Sequence, residues 1–155
     1  MVPLADGAKG LARAEAIGLL AAVPYGRVIF TLDALPAVRP VNHFMHEGQI
    51  IIRARLNPAI SAAERSIDGI VVAYQADDFD AVRQTGWSVT VTGRAHTLAD
   101  QDQMARYERL LDPWVNHVGG VVAIDPAIVT GFRISSARYG PDDVGGRPSP
   151  VLGRS

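Results

Sequence analysis

Arg53 and Arg55 stand two residues apart at the end of the run Gln49-Ile50-Ile51-Ile52-Arg53-Ala54-Arg55. Read as a strand, this run sets Ile50, Ile52 and Ala54 on one face and Ile51, Arg53 and Arg55 on the other. Alternate residues on a strand lie about 6.5 Å apart, so both guanidinium groups project from one side. In water their mutual repulsion is only about 0.6 kcal/mol; in a sheltered setting it grows several-fold and calls for an anion. Asn57-Pro58 follows at once and supplies a favoured N-cap and a favoured first helical residue. The free N–H groups of a helix start attract phosphate, and Ser61 adds a hydroxyl on the first turn. Residues 53–61 therefore read as an anion site, with two solvated arginines as the plainer alternative.

The segment Arg39-Pro40-Val41-Asn42-His43 is the second candidate. A proline inside a strand belongs at an edge, or where its missing N–H faces something other than a neighbouring strand. Asn42 both donates and accepts, which suits the imide edge of a heterocycle. Taken alone, the segment reads more simply as an edge strand carrying a turn-proximal Asn. Other chemistries find no footing. The sequence contains no Gly-x-Gly-x-x-Gly, no Walker loop and no Gly-x-Ser-x-Gly elbow, since Ser88 in Gly-Trp-Ser-Val-Thr lacks the second glycine. Among His43, His46, His96 and His117, the first two are oddly spaced across a strand end and tend to opposite faces, which argues against a metal site. Cysteine is absent, so disulfides, zinc–thiolate sites and thiol nucleophiles are excluded. The single lysine, Lys9, lies in the N-terminal segment, which removes a core Schiff-base lysine.

The elements that must hold these residues follow from periodicity. A length of 155 residues is a one-domain chain, and a net charge of −1 gives no general attraction to nucleic acid or anionic membrane. No apolar run approaches a membrane span, and the start lacks the basic and apolar regions of a signal peptide, so a soluble, cytoplasmic protein is expected. An alanine-rich amphipathic helix is predicted from about Asp6 to Ala22, with Ile17, Leu20 and Ala21 on one face and Pro24 as its stop. Strands follow at Gly26–Leu32, Ala37–Met45 and Gln49–Arg55, the last two joined through His46-Glu47-Gly48. A short helix is expected to about Glu64.

Ile70 to Ala76 is a continuous apolar run, expected to be buried on both faces. Gly86 to about Leu98 alternates cleanly, with Trp87, Val89, Val91 and Ala95 against Ser88, Thr90, Thr92 and Arg94. Asp100 and Gln103 resemble a capping box opening a helix with Met104, Tyr107 and Leu111 on one face, ended by Pro113. Two last strands, Val121–Ile124 and Ile128–Ile134, flank an Asp125-Pro126 corner. The Gly/Pro-rich tail, residues 138–155, is expected to be loose or to gain order only against a partner. Short turns without sustained βαβ periodicity predict a mainly β domain over residues 1–137, a small antiparallel barrel with flanking helices.

In order along residues 10–135, Gly26-Arg27-Val28, Arg39-Pro40-Val41-Asn42, Val71-Val72-Ala73-Tyr74, Asp77-Asp78-Phe79-Asp80, Thr85-Gly86-Trp87-Ser88-Val89, Gly93-Arg94-Ala95, Pro113-Trp114, Ile124-Asp125-Pro126 and Val129-Thr130-Gly131-Phe132-Arg133-Ile134 resemble the pyridoxamine 5′-phosphate oxidase-like, flavin-binding split-barrel family, in particular its small actinobacterial-type members. The resemblance implies a six-stranded antiparallel split β-barrel working as a homodimer, with two cofactor sites at the subunit interface. FMN is the implied cofactor, with the deazaflavin F420 as the alternative; a small unidentified molecule would be the acceptor. By similarity, Arg39, Pro40, Val41 and Asn42 would lie along the isoalloxazine. Arg53, Ala54, Arg55 and Ser61 would hold the phosphate, and Trp87 and Trp114 would pack near the ring or the interface. Relatives often carry a threonine near Ala54 and a lysine near Ala59; here Arg55 is suited to stand in for the lysine. The implied activity is flavin-dependent oxidation or reduction, and the alternative is a non-catalytic barrel that has lost its cofactor.

Overall fold

The computed structural model describes residues 7–56, 69–111 and 120–136. The helix expected after Asn57, with Ala59 and Ser61, and Pro113, Trp114, His117 and the tail all lie outside the described residues. In chain order the elements are β1 (Ala8–Gly10), α1 (Arg13–Ala22), β2 (Tyr25–Leu32), β3 (Leu35–His46), β4 (Gln49–Ala54), β5 (Ile70–Asp80), β6 (Thr85–Thr97), α2 (Gln101–Leu110) and β7 (Gly120–Ile134).

Six antiparallel strands close a ring in the order β7-β4-β3-β2-β5-β6, with β6 returning to β7. A seventh strand departs from the six expected: β1 adds to the far end of β7, Lys9 opposite Arg133. Three residues carry too little pattern to be read as a strand, and their pairing comes wholly from β7. For the same reason α1 begins at Arg13 rather than near Asp6, and its buried residues are Ala16 and Leu20 while Ala21 stays exposed.

Alternation sets the two faces of the ring. Val28, Phe30, Ile50, Ile52, Tyr74, Val89, Val91 and Ile124 point inward, and Ala16 and Leu20 of α1 close one end of this core. Among the described residues the outer face is covered in one sector, where Tyr107 and Leu111 at α2 pack on Ile51, Val121 and Ala123. Asp100 caps α2, its Oδ1 accepting from the N–H groups of Asp102 at 2.9 Å and Gln103 at 3.0 Å. The Gln103 amide donates to the Tyr107 hydroxyl at 3.1 Å instead of returning to the cap, so only half of the capping box forms.

Two sequence expectations are corrected. β5 is not buried on both faces: Val72, Tyr74 and Ala76 are buried, whereas Val71 is 61% exposed. Among the described residues, no element covers its outer side. Asp125-Pro126 does not break the chain into two strands either, because β7 runs through it as a bulge. Thr92 pairs with Ile128 and Gly93 with Pro126, leaving Ala127 as the extra residue. A bulge absorbs proline's missing donor, and Gly93 is needed because a Cβ there would collide with the Asp125 carbonyl.

Candidate functional site

β3 changes partners along its length, and that change builds the site. Its first part, Leu35 to Asn42, pairs with β2, ending at Asn42 opposite Tyr25. Its last part pairs with β4, from His43 opposite Ile52 to His46 opposite Gln49. Beyond Ile52 the end of β4 is held from the other side, Arg53 opposite Val121 and Ala54 opposite Gly120. The two strands therefore part just where Asn42 and Arg53 would have met, and continuing the register puts both on the outer face.

At this parting Asn42 Oδ1 is buried and accepts no hydrogen bond among the described residues. The amide nitrogen of the same side chain donates to the Pro24 carbonyl at 3.5 Å, a long contact. A buried acceptor without a donor costs about 1–3 kcal/mol, so an occupant bringing an N–H would recover that loss. Arg53 is half-buried, and its Nη2 lies 3.8 Å from Glu108 Oε1 on α2. That carboxylate was invisible to the sequence reading, since it reaches the strand only through helix docking. Arg55 is exposed just past the end of β4, and Ala54 between them is buried with the core.

Val41 is buried in the core, whereas Pro40 is exposed beside it. Arg39 is exposed on the inward side at the barrel end, its guanidinium carbon 5.8 Å from the centroid of the Phe30 ring. By alternation Pro40, Asn42 and Arg53 fall on the outer side, and the exposed Arg55 follows just past the end of β4. Trp87 does not join them: it is buried on the inner face of β6, at the opposite end of the β5–β6 pair from Ile70 and Ala95.

Next to Asn42, His43 points inward. Its Nε2 donates to the Leu20 carbonyl at 2.8 Å and its Nδ1 accepts from the Tyr74 hydroxyl at 2.5 Å. Burial pushes His43 below the usual histidine range, partly offset by the bond to Leu20. Burial likewise pushes the Tyr74 hydroxyl well above its usual range, with the Arg27 charge working weakly the other way. Both are fixed structural groups in these protonation states. Among the described residues, no group of three His, Asp or Glu side chains could hold a metal ion, and no helix is long and apolar enough to cross a membrane.

A closed six-strand ring whose β3 and β4 part at a polar edge is a split barrel. The family model for pyridoxamine 5′-phosphate oxidase matches residues 12–133, and the chain belongs to that family. It is 58% identical over 127 residues to the uncharacterized protein Rv0080 of Mycobacterium tuberculosis, covering 80% of this chain and 84% of that one. Among solved structures, one from Corynebacterium glutamicum, assigned by name alone to pyridoxamine 5′-phosphate oxidase, superposes with a TM-score of 0.66 at 27% identity, over 83% of this chain and 99% of that one. The FAD binding protein from Mycobacterium smegmatis gives a TM-score of 0.57 at 25% identity, over 82% and 98% of the two chains.

Proposed function

We propose that this protein binds a flavin, FMN in the first instance, on the outer side of the barrel where β3 and β4 part, and that it serves hydride or electron transfer to a small acceptor. The observation that carries this reading is the buried, donor-less Asn42 Oδ1 beside a pair of arginines. An imide N–H is the donor that this acceptor lacks. Arg53 and Arg55 offer a planar fork of donors suited to a phosphate, and Glu108 keeps Arg53 aligned until an anion arrives. Bound there, a flavin supplies the redox chemistry, and the protein supplies position and electrostatics.

The chain's own residues hold rather than react. Asn42 Oδ1 accepts a hydrogen bond from an N–H of the flavin and the two guanidinium groups neutralise charge. His43 and Tyr74 stay hydrogen-bonded to each other behind the strand. No side chain at the parting is required as acid or base.

The same reading takes the protein as a homodimer. Val38, Ile29, Ala73, Thr92 and Ile128 form one cross-strand row over five strands on the outer face. Val38 is 50% and Ile128 60% exposed, an apolar band that a second copy would cover. The deciding experiment is an absorbance spectrum of the purified protein, followed by mass identification of whatever denaturation releases. Released FMN supports the reading; FAD, which the M. smegmatis relative binds by name, or F420 would change the cofactor but keep the site. A colourless protein that binds none of the three in titration overturns it, leaving a non-catalytic barrel.

A further inference from the structure

A cavity of about 400 Å³ opens at one end of the barrel, away from Asn42 and Arg53, lined by Asp78, Asp80, Thr85, Trp87, Arg133 and Ser135 among others. Its centre is a single cross-strand row: Asp78 lies opposite Trp87 on β6, and Trp87 lies opposite Arg133 on β7. The row follows directly on the buried pair Ala76 and Val89, so it is the inner face of the barrel as it emerges from the core.

The charges around this cavity are matched except for one. Arg133 Nη2 donates to Glu15 of α1 at 3.2 Å. Asp80 Oδ1 accepts from the backbone of Val82 at 3.0 Å and Arg83 at 2.9 Å, and its Oδ2 lies 3.9 Å from Arg83 Nε. The Asp78 carboxylate has no hydrogen bond or ion pair among the described residues. Asp78 is exposed, and its backbone lies one strand spacing, about 5 Å, from that of Trp87, whose indole edge borders the cavity and whose ring attracts cations.

We propose that this end of the barrel binds a small organic ammonium ion, with its charge at Asp78 and its apolar body against Trp87. The local chemistry excludes the other occupants. An anion meets two carboxylates and an arginine already held by Glu15. A bare metal ion finds no set of three ligands and a space far larger than itself. A purely apolar molecule would strip water from Asp78 and return nothing. The site differs in face and in sign of charge from the one beside Asn42, so it stands or falls independently of the flavin.

The test is an NMR titration of the ¹⁵N-labelled full chain with n-butylammonium chloride, with sodium butyrate and sodium chloride as controls. Saturable shifts of the Trp87 indole N–H and of the Thr85 and Gly86 amides are expected, with a dissociation constant on the order of 1 mM. Asp78→Asn should weaken binding at least about tenfold, since an ion–carboxylate contact is lost. Asp78→Glu should retain it, which separates loss of charge from loss of fold. No saturable shift with n-butylammonium, equal shifts with butyrate, or an Asp78→Asn variant that binds as well as the parent overturns the proposal.

Discussion

Tyr74 and His43 are joined edge to face in the barrel interior, ring centroids 5.2 Å apart, with the Tyr74 hydroxyl on the imidazole Nδ1. The Leu20 carbonyl can only accept, so Nε2 carries the proton and Nδ1 must be the acceptor. One neutral tautomer therefore satisfies three buried groups and ties the end of α1 to β3 and β5. A charged imidazole would carry a proton on each nitrogen, so the Tyr74 hydroxyl would have to accept at Nδ1 and turn its own proton away from its present partner.

Acid should weaken the fold through this residue. The folded-state pKa of His43 is lowered from 6.5, so the unfolded chain takes up a proton more readily than the folded one. The contribution of His43 is complete above 6.5 and is lost as pH falls from there through the lowered folded value. Denaturant titrations across that range should show the parent losing ground relative to His43→Gln, which keeps a donor and an acceptor but does not titrate. A constant gap at every pH would mean that protonation of His43 is not the cause. At neutral pH, Tyr74→Phe should cost about 1–3 kcal/mol, because Nδ1 is left buried without a donor.

The parting of β3 and β4 makes its own prediction about flavin. Arg53→Ala with Arg55→Ala should weaken flavin binding at least about 100-fold, two charge-assisted contacts being lost. Asn42→Ala removes a single neutral acceptor and should cost about 2–10-fold. Fluorescence titration gives the affinities, and far-ultraviolet circular dichroism checks the fold. Unchanged affinity in the double variant would remove the arginines from the site.

The β2–β3 hairpin can be improved. Its two turn residues, Asp33 and Ala34, have φ of 51° and 62°, a left-handed pair that matches strand twist and suits Asp33 but not Ala34. The β3–β4 turn uses Glu47 and Gly48 at φ of 49° and 77°, with glycine in the second position. Ala34→Gly should therefore stabilise the protein by about 0.5–1 kcal/mol, the relief of strain exceeding the added freedom of the unfolded chain. A lower denaturation midpoint would show that this turn is not strained.

That contrast also marks what a sequence can reveal. β2 and β6 follow from period-two alternation, because each buries one face in the core and shows the other to the outside, whereas β4 has Ile51 buried under α2 on its second face. The pair Asp33-Ala34 carries no glycine signal, so only the flanking alternation locates that hairpin. β1 is fixed by β7 alone, and the continuity of β7 through Pro126 depends on Gly93 across the ladder, a long-range fact. The shared face of Ile51 and Arg53 was legible. Glu108 beside Arg53 and the empty acceptor of Asn42 were not, because they arise from helix docking and from a change of strand partner. Trp87 alternates with Val89 and Val91 in the sequence, and the inner face they share leads at Trp87 to the barrel end rather than to Asn42.

The apolar run Ile70-Val71-Val72-Ala73 tests the second copy. Its inner residues are accounted for by the core, yet Val71 is 61% exposed and Ala73 lies in the row joining Ile29 to Thr92. An apolar strand face left open in one protomer is explained if another copy covers it, and a carboxylate placed there would be desolvated in the interface with only Arg94, opposite it on β6, to offset the cost. Val71→Glu should accordingly convert a dimer to a monomer, read as a halved mass in light scattering coupled to size exclusion. Because Val71 is already exposed within a protomer, the monomer's own fold should survive. The double substitution Val71→Glu with Ile128→Glu should leave a monomer even at high protein concentration. A parent protein that is monomeric across the accessible concentration range, or a Val71→Glu variant that dimerises as tightly as the parent, would move the interface away from this face.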